Sequence, residues 1–159
     1  MRIFILIITI ISAGSLRSQE QQISADEAIQ KVYDILSGEE KGPVKKPSEA
    51  IMAGAWEALA YLNYTKDSLS KEDVQEAVPD YYRFREKFLI LKLIDQQDYN
   101  HYGTELKVPY LVENNRVLVY DPQGKAVKDQ WLIIYLDDSY LALEMGDLRL
   151  FFTRTQNQE

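Results

Sequence analysis

The 159-residue chain has no cysteine and one histidine, and each scarcity removes a class of chemistry. Without cysteine there is no disulfide staple, thiolate nucleophile, thiolate metal site or thioether-linked lipid. With His101 as the lone imidazole, a histidine-rich metal site is excluded, and a Ser-His-Asp arrangement would have to use that residue. Basic side chains are also in the minority, 18 Lys and Arg against 25 Asp and Glu, for a formal charge of −7. That balance argues against nucleic acid and anionic membrane surfaces as partners. Glycine-rich phosphate cradles are missing as well.

The apolar run from Ile3 to Ile11 is shorter than the roughly 20 residues that a membrane-spanning helix needs. It follows Met1-Arg2 and precedes the small stretch Ser12-Ala13-Gly14-Ser15, the order of a secretory signal peptide. Cleavage is expected near Ser18, with Ser15 as the alternative, so the mature chain would keep no transmembrane span. Loss of Arg2 and Arg17 would make it more acidic by two charges. A cysteine-free domain with a sufficient core folds outside the cytoplasm without staples, and a periplasmic or extracellular location is expected. The expected organisation is a signal peptide over 1–18, a helix and linker over 19–47, and one β-rich domain over 48–159.

Composition supports that single domain: 46% hydrophobic and 27% charged residues supply a core and exclude a disordered chain. Ser24 stands at an N-cap position, and Ala28, Ile29, Val32, Tyr33 and Leu36 recur at helical spacing before Gly38, so the pattern predicts a helix over 24–37. Two prolines and mixed charge over 39–47 read as a linker. Beyond residue 54 eight runs rich in β-branched and aromatic residues follow: 55–64, 80–85, 88–94, 104–112, 116–121, 130–136, 139–145 and 148–153. Asn114-Asn115, Asp121-Pro122-Gln123-Gly124, Asp137-Asp138 and Gly146-Asp147 supply turn chemistry between the later runs. A short helix is expected over 70–78, ahead of Pro79, and 98–102 reads as a polar loop.

In 104–112 the residues Leu106, Val108, Tyr110 and Val112 share one face, as in a strand with one wet side. The run Trp131 to Leu136 is apolar on both faces, and the 24–37 helix is the candidate cover for its outer side. Local connections and the need to remove exposed edges favour an all-β fold with a short N-terminal helix, closed as an eight-stranded antiparallel up-and-down barrel.

The first strand opens with Gly54-Ala55-Trp56, and the last ends with Leu150-Phe151-Phe152-Thr153-Arg154. Tyr82-Arg83-Phe84 stands in the second strand, Gly103 precedes the fourth, and a late hairpin runs from Trp131 to Leu143. Over about residues 48–154 this resembles the lipocalin-like domains of the calycin group, specifically their short secreted bacterial members. The resemblance implies that Gly54, Trp56 and Arg154 close the barrel, with Arg149 as the competing arginine. It also implies a non-enzymatic protein. A guanidinium on an indole face is worth roughly 0.5–2 kcal/mol.

The acidic pairs Glu39-Glu40 and Asp137-Asp138 fall in a linker and a turn and read as solubility and turn residues rather than an acid–base pair. Asp121-Pro122-Gln123-Gly124 lacks the spaced acidic ligands of a calcium loop. His101 reads as a solvated loop residue. No cofactor or metal is expected. The aromatic complement, 11 tyrosines and two tryptophans, could line a small cavity. With Trp56 facing inward, strict alternation places Ala58, Ala60, Leu62 and Tyr64 inside, and Tyr110, Trp131, Ile133, Tyr135, Leu150 and Phe152 are expected to join them. From this set Leu62, Tyr64, Tyr110, Trp131, Ile133, Tyr135 and Phe152 are the candidate ligand-binding residues. Eight strands leave an interior just wide enough to be packed or to hold one small ligand. A small apolar ligand and, alternatively, an envelope protein docked on a packed scaffold are therefore the expected partners.

Overall fold

The computed structural model describes residues 24–40, 47, 54–95 and 98–155, with the side chains of 98–102 outside that description. The expected signal peptide, its cleavage point and most of the linker lie outside the described residues.

Helix α1 spans Ala25–Ser37 and is closed at both ends by its own sequence. The Ser24 hydroxyl accepts from the Glu27 amide at 3.3 Å while the Glu27 carboxylate accepts from the Ser24 amide at 2.8 Å, a reciprocal capping box. Gly38, at φ 87°, turns the chain out in the left-handed region that disfavours other residues. Ala28, Val32, Ile35 and Leu36 form the buried stripe.

The strands are β1 (Ala55–Asn63), β2 (Gln75–Glu76), β3 (Tyr81–Phe84), β4 (Phe88–Asp95), β5 (Asp98–Glu113), β6 (Arg116–Tyr120), β7 (Val127–Leu136), β8 (Tyr140–Met145) and β9 (Leu148–Thr155). Each pairs antiparallel with its neighbour, and β9 returns to pair with β1 from Thr155 opposite Ala55 to Leu148 opposite Asn63, which closes the barrel. Closure leaves no long edge to recruit another chain. The two-residue β2 does not add a stave. It pairs with Ala60 and Tyr61 on the same edge of β1 that β3 meets at Ala55–Glu57, so β2 and β3 form one broken stave of an eight-stave barrel. Hairpin chemistry is as expected at Asn114 and Asn115, both with positive φ of 48° and 61°.

Two expectations are corrected. Residues 70–78 do not form a helix. A single 3-10 turn, Lys71–Asp73, is held by the Asp73 carboxylate, which accepts from the Ser70 amide at 3.0 Å, and the chain is extended again at Val74. So short a helix is marginal on its own, and the edge of β1 offers better partners: β2 pairs there, and the Ala77 amide donates to the Leu59 carbonyl at 3.0 Å. The stretch 98–102 is not a loop, since β5 begins at Asp98 and carries the His101 backbone within it; the His101 side chain lies outside the described residues.

The core has two parts separated by the sheet. The inner cluster fills the barrel around Trp56, Tyr82, Phe84, Leu89, Trp131 and Phe152. The outer cluster joins the buried stripe of α1 to Leu59, Leu62, Tyr135, Tyr140 and Phe151 on the outside of β1, β7, β8 and β9. Helix α1 thus covers the seam where the barrel closes, together with the doubly apolar end of β7, as the sequence pattern predicts.

Candidate ligand-binding site

Register shifts decide which side chains reach the interior. Pairing between β1 and β9 slips between Ala58 and Ala60, and pairing between β7 and β8 slips between Ile133 and Tyr135. Each β-bulge inserts one residue and reverses the in–out order beyond it. Trp56 and Ala58 point inward, but Leu59, Ala60 and Leu62 fall in the outer cluster and Tyr61 packs inward. On β7, Trp131 and Ile133 point inward, Tyr135 lies under α1, and Leu136 is inward again.

The candidate residues therefore separate. Tyr110, Trp131, Ile133 and Phe152 come together inside the barrel, with Leu150 packed against them. Leu62, Tyr64 and Tyr135, expected beside them, are elsewhere, as is Ala60. Leu62 is fully buried beneath the helix. The Tyr135 hydroxyl donates to the Asp137 carboxylate at 3.0 Å, and burial first, then the Asp137 charge, pushes its pKa up. Tyr64, beyond the end of β1, donates to the Gly146 carbonyl at 3.0 Å and lies under the Arg149 guanidinium, 4.3 Å from its ring centre.

One end of the barrel is sealed. The Arg154 guanidinium lies 4.9 Å from the Trp56 ring centre, and Trp56 is fully buried. A Cβ at Gly54 would stand 3.0 Å from the Arg154 Nε, so any larger residue would press the arginine away from this position. Arg149 does different work on the outer surface. It forks onto Glu144 at 2.9 and 3.0 Å and donates to the carbonyls of Leu36 and Ser37 at 2.9 and 3.0 Å, tying the C-terminus of α1 to the barrel.

The other end is open. The inward-facing Tyr61, Leu91, Val108, Met145 and Leu150 are only partly buried. Leu106, the cross-strand partner of Leu91, is 43% exposed. Between the two ends runs an edge-to-face aromatic array: Phe152 to Tyr82 at 4.9 Å, Tyr82 to Trp131 at 6.0 Å, and Phe84 to Tyr110 at 5.3 Å. The Trp131 indole N–H donates to the Asp129 carboxylate at 2.8 Å, and the Tyr110 hydroxyl donates to the Arg85 carbonyl at 2.7 Å. Burial pushes the Tyr110 pKa up to about 12. Tyr82 is raised to about 12 by burial first, then by the charges of Asp80 and Asp129.

Tyr82, Leu91, Val108 and Met145 were not among the residues singled out as ligand-binding. For Tyr82 the signal was present, since it sits opposite Trp56 and alternates with Phe84. Among the described residues no three His, Cys, Asp or Glu side chains gather as a metal site, and no helix is long and apolar enough to cross a membrane.

Neither a protein-family model nor any curated protein matches the sequence. Among solved structures, the chain is similar to a lipocalin-like protein from Bacteroides uniformis, with a TM-score of 0.50 and 15% identity over 66% of this chain and 99% of that one. An uncharacterized protein from Bacteroides eggerthii matches with a TM-score of 0.44 and 12% identity, covering 64% and 98% of the two chains. At such identities the likeness concerns the fold. With its closed antiparallel barrel and a helix near the N-terminus, the chain has a lipocalin-like fold.

Proposed function

We propose that this protein is an exported, non-catalytic binding protein that takes a small apolar ligand through the open end of its barrel. The observation that carries the reading is the gradient of burial along the inner face. Trp56, Phe84 and Phe152 are 0–1% exposed at the sealed end, while Leu106 at the other is 43% exposed. A concave apolar wall with a few polar groups is the usual form of a small-molecule site. The Tyr82 hydroxyl is held neutral far above physiological pH, which suits hydrogen bonding rather than proton transfer. The leader pattern at Arg2 to Ser18 and the acidic, cysteine-free composition support export, to the periplasm or beyond.

Intrinsic fluorescence of the purified chain, titrated with fatty acids, alkyl amines, sterols, bile acids and haem, tests the reading, because Trp131 is part of the inner wall of the barrel. Saturable quenching or a blue shift at micromolar ligand is the expected result, and a flat response across every class would overturn it. The second reading, a scaffold for an envelope protein, draws on the outer face of β4 and β5, where Phe88 is 37% and Leu111 49% exposed. A stable complex recovered from the native host, combined with a flat ligand titration, would support that reading instead.

A further inference from the structure

The charges on the inner face are sorted by end. Asp80 leads into β3 with the same parity as Tyr82 and Phe84, and Asp129 sits opposite the inward-facing Val119. Both carboxylates stand toward the open end. Among the described residues the inward-facing cation is Arg154, which is occupied at the sealed end over Trp56. Asp80 Oδ1 accepts from the Ile94 amide at 2.9 Å, and Asp129 uses one oxygen for the Trp131 indole and the other for the Gln130 amide, both at 2.8 Å. A carboxylate has about four lone-pair sites, so each keeps acceptor capacity. Between them stands Tyr82, 7% exposed, packed edge-on against Trp131 and Phe152, with no hydrogen-bond partner for its hydroxyl among the described residues. The Tyr82 hydroxyl oxygen itself keeps some solvent exposure, so a ligand group can reach it and hydrogen-bond there. The fields of Asp80 and Asp129 both reach that phenol and oppose its ionisation. An aromatic wall backed by carboxylates attracts ammonium and repels a second carboxylate.

On these grounds we infer that the ligand is a cationic amphiphile, an alkyl or aryl amine whose apolar body lies along the barrel and whose ammonium sits at the mouth against Asp129 and Asp80, beside the Tyr82 hydroxyl. The inference rests on the binding function proposed above and names its ligand class. It excludes fatty acids as the preferred ligand.

Dodecylamine, dodecanol and dodecanoate have one chain length and three head groups, and each is titrated below its micelle concentration while tryptophan fluorescence is read. Dodecylamine should bind about tenfold or more tighter than dodecanoate, the scale of a desolvated cation–π contact. Asp129→Asn keeps an acceptor for the Trp131 indole and should remove most of that preference, read as the ratio of dodecylamine to dodecanoate affinity. Glu105→Gln, on the outer face, should leave the preference intact, which separates a site effect from the general attraction of amines to an acidic protein. Equal or tighter binding of dodecanoate, or a preference untouched by Asp129→Asn, overturns the amine assignment while the binding function stands. Failure of all three to bind overturns both.

Discussion

At one end of the barrel Trp56, Phe84, Leu89, Leu136, Leu141 and Phe152 are each no more than 1% exposed, whereas at the other end Leu106 shows 43% of its surface to solvent and its partner Leu91 is only partly buried. The same strands build both ends. Their difference lies in what fills them: a close-packed plug of large side chains under an arginine lid below, and a looser wall carrying Asp80, Tyr82 and Asp129 above. A barrel divided in this way can keep its stability in one half and leave the other free to admit a guest. Substitutions at the sealed end should therefore act on folding, and those at the open end on binding.

The sharpest way to break the comparison is to empty one end. Phe152→Ala removes a fully buried ring from the plug and is expected to cost about 3–5 kcal/mol of stability, read from urea unfolding followed by far-UV circular dichroism. Leu106→Ala at the mouth should change stability by about 0.5 kcal/mol or less. Equal losses at the two sites would show that the ends are packed alike.

Alkaline pH tests the inner wall where the plug and the open end meet. The folded state raises Tyr82 from 10.0 to about 12, so folding favours its neutral form. The stability this provides is fully present below pH 10 and is lost as pH rises through about 12, with a ceiling of about 2–3 kcal/mol from the size of the shift. Tyr110 and Tyr140, also raised to about 12 by burial, add to the same alkaline transition. Tyr82→Phe should lose less stability between pH 9 and 12 than the native chain does. An unchanged slope would contradict the assignment.

How much of this was legible in the residues alone can be argued from particular elements. The eight barrel staves and α1 with its caps follow from local signals, turn pairs and capping residues, whereas the pairing of Trp56 with Arg154 rather than Arg149 was implied by the family resemblance and not by the residues alone. The inner wall was only half legible. Strict alternation carries a side-chain assignment along a strand until a bulge reverses it, and neither Leu59-Ala60 nor Ile134-Tyr135 announces a bulge by glycine or proline. Leu62 and Tyr135 were therefore assigned to the interior, although they supply the platform for the helix. The stretch 70–78 was misread for a related reason, since its helical spacing is overridden by an unfilled edge of β1.

The helix gives a finer test of the outer core. Arg149→Ala leaves the Leu36 and Ser37 carbonyls and the Glu144 carboxylate without a shared partner, and a loss of about 1–3 kcal/mol is expected. Hydrogen exchange should locate that loss in α1 and the ends of β1 and β9, with the inner wall of β4 to β6 protected as before. The smallest effect belongs to Ser24→Ala, which removes half of the capping box and should cost about 1 kcal/mol, visible as faster exchange in the first turn of α1.

The central claim is that ligand enters at the open end and stops at the plug. Methyl NMR on Leu-, Val- and Met-labelled protein tests this directly, with an apolar ligand titrated to saturation. The account predicts shifts concentrated at Leu91, Leu106, Val108, Met145 and Leu150, with Leu136 and Leu141 at the sealed end and Leu59 and Leu62 under the helix nearly unmoved. Shifts centred on the helix-covered face or the outer face of β4 and β5, or none at saturating ligand, would contradict it.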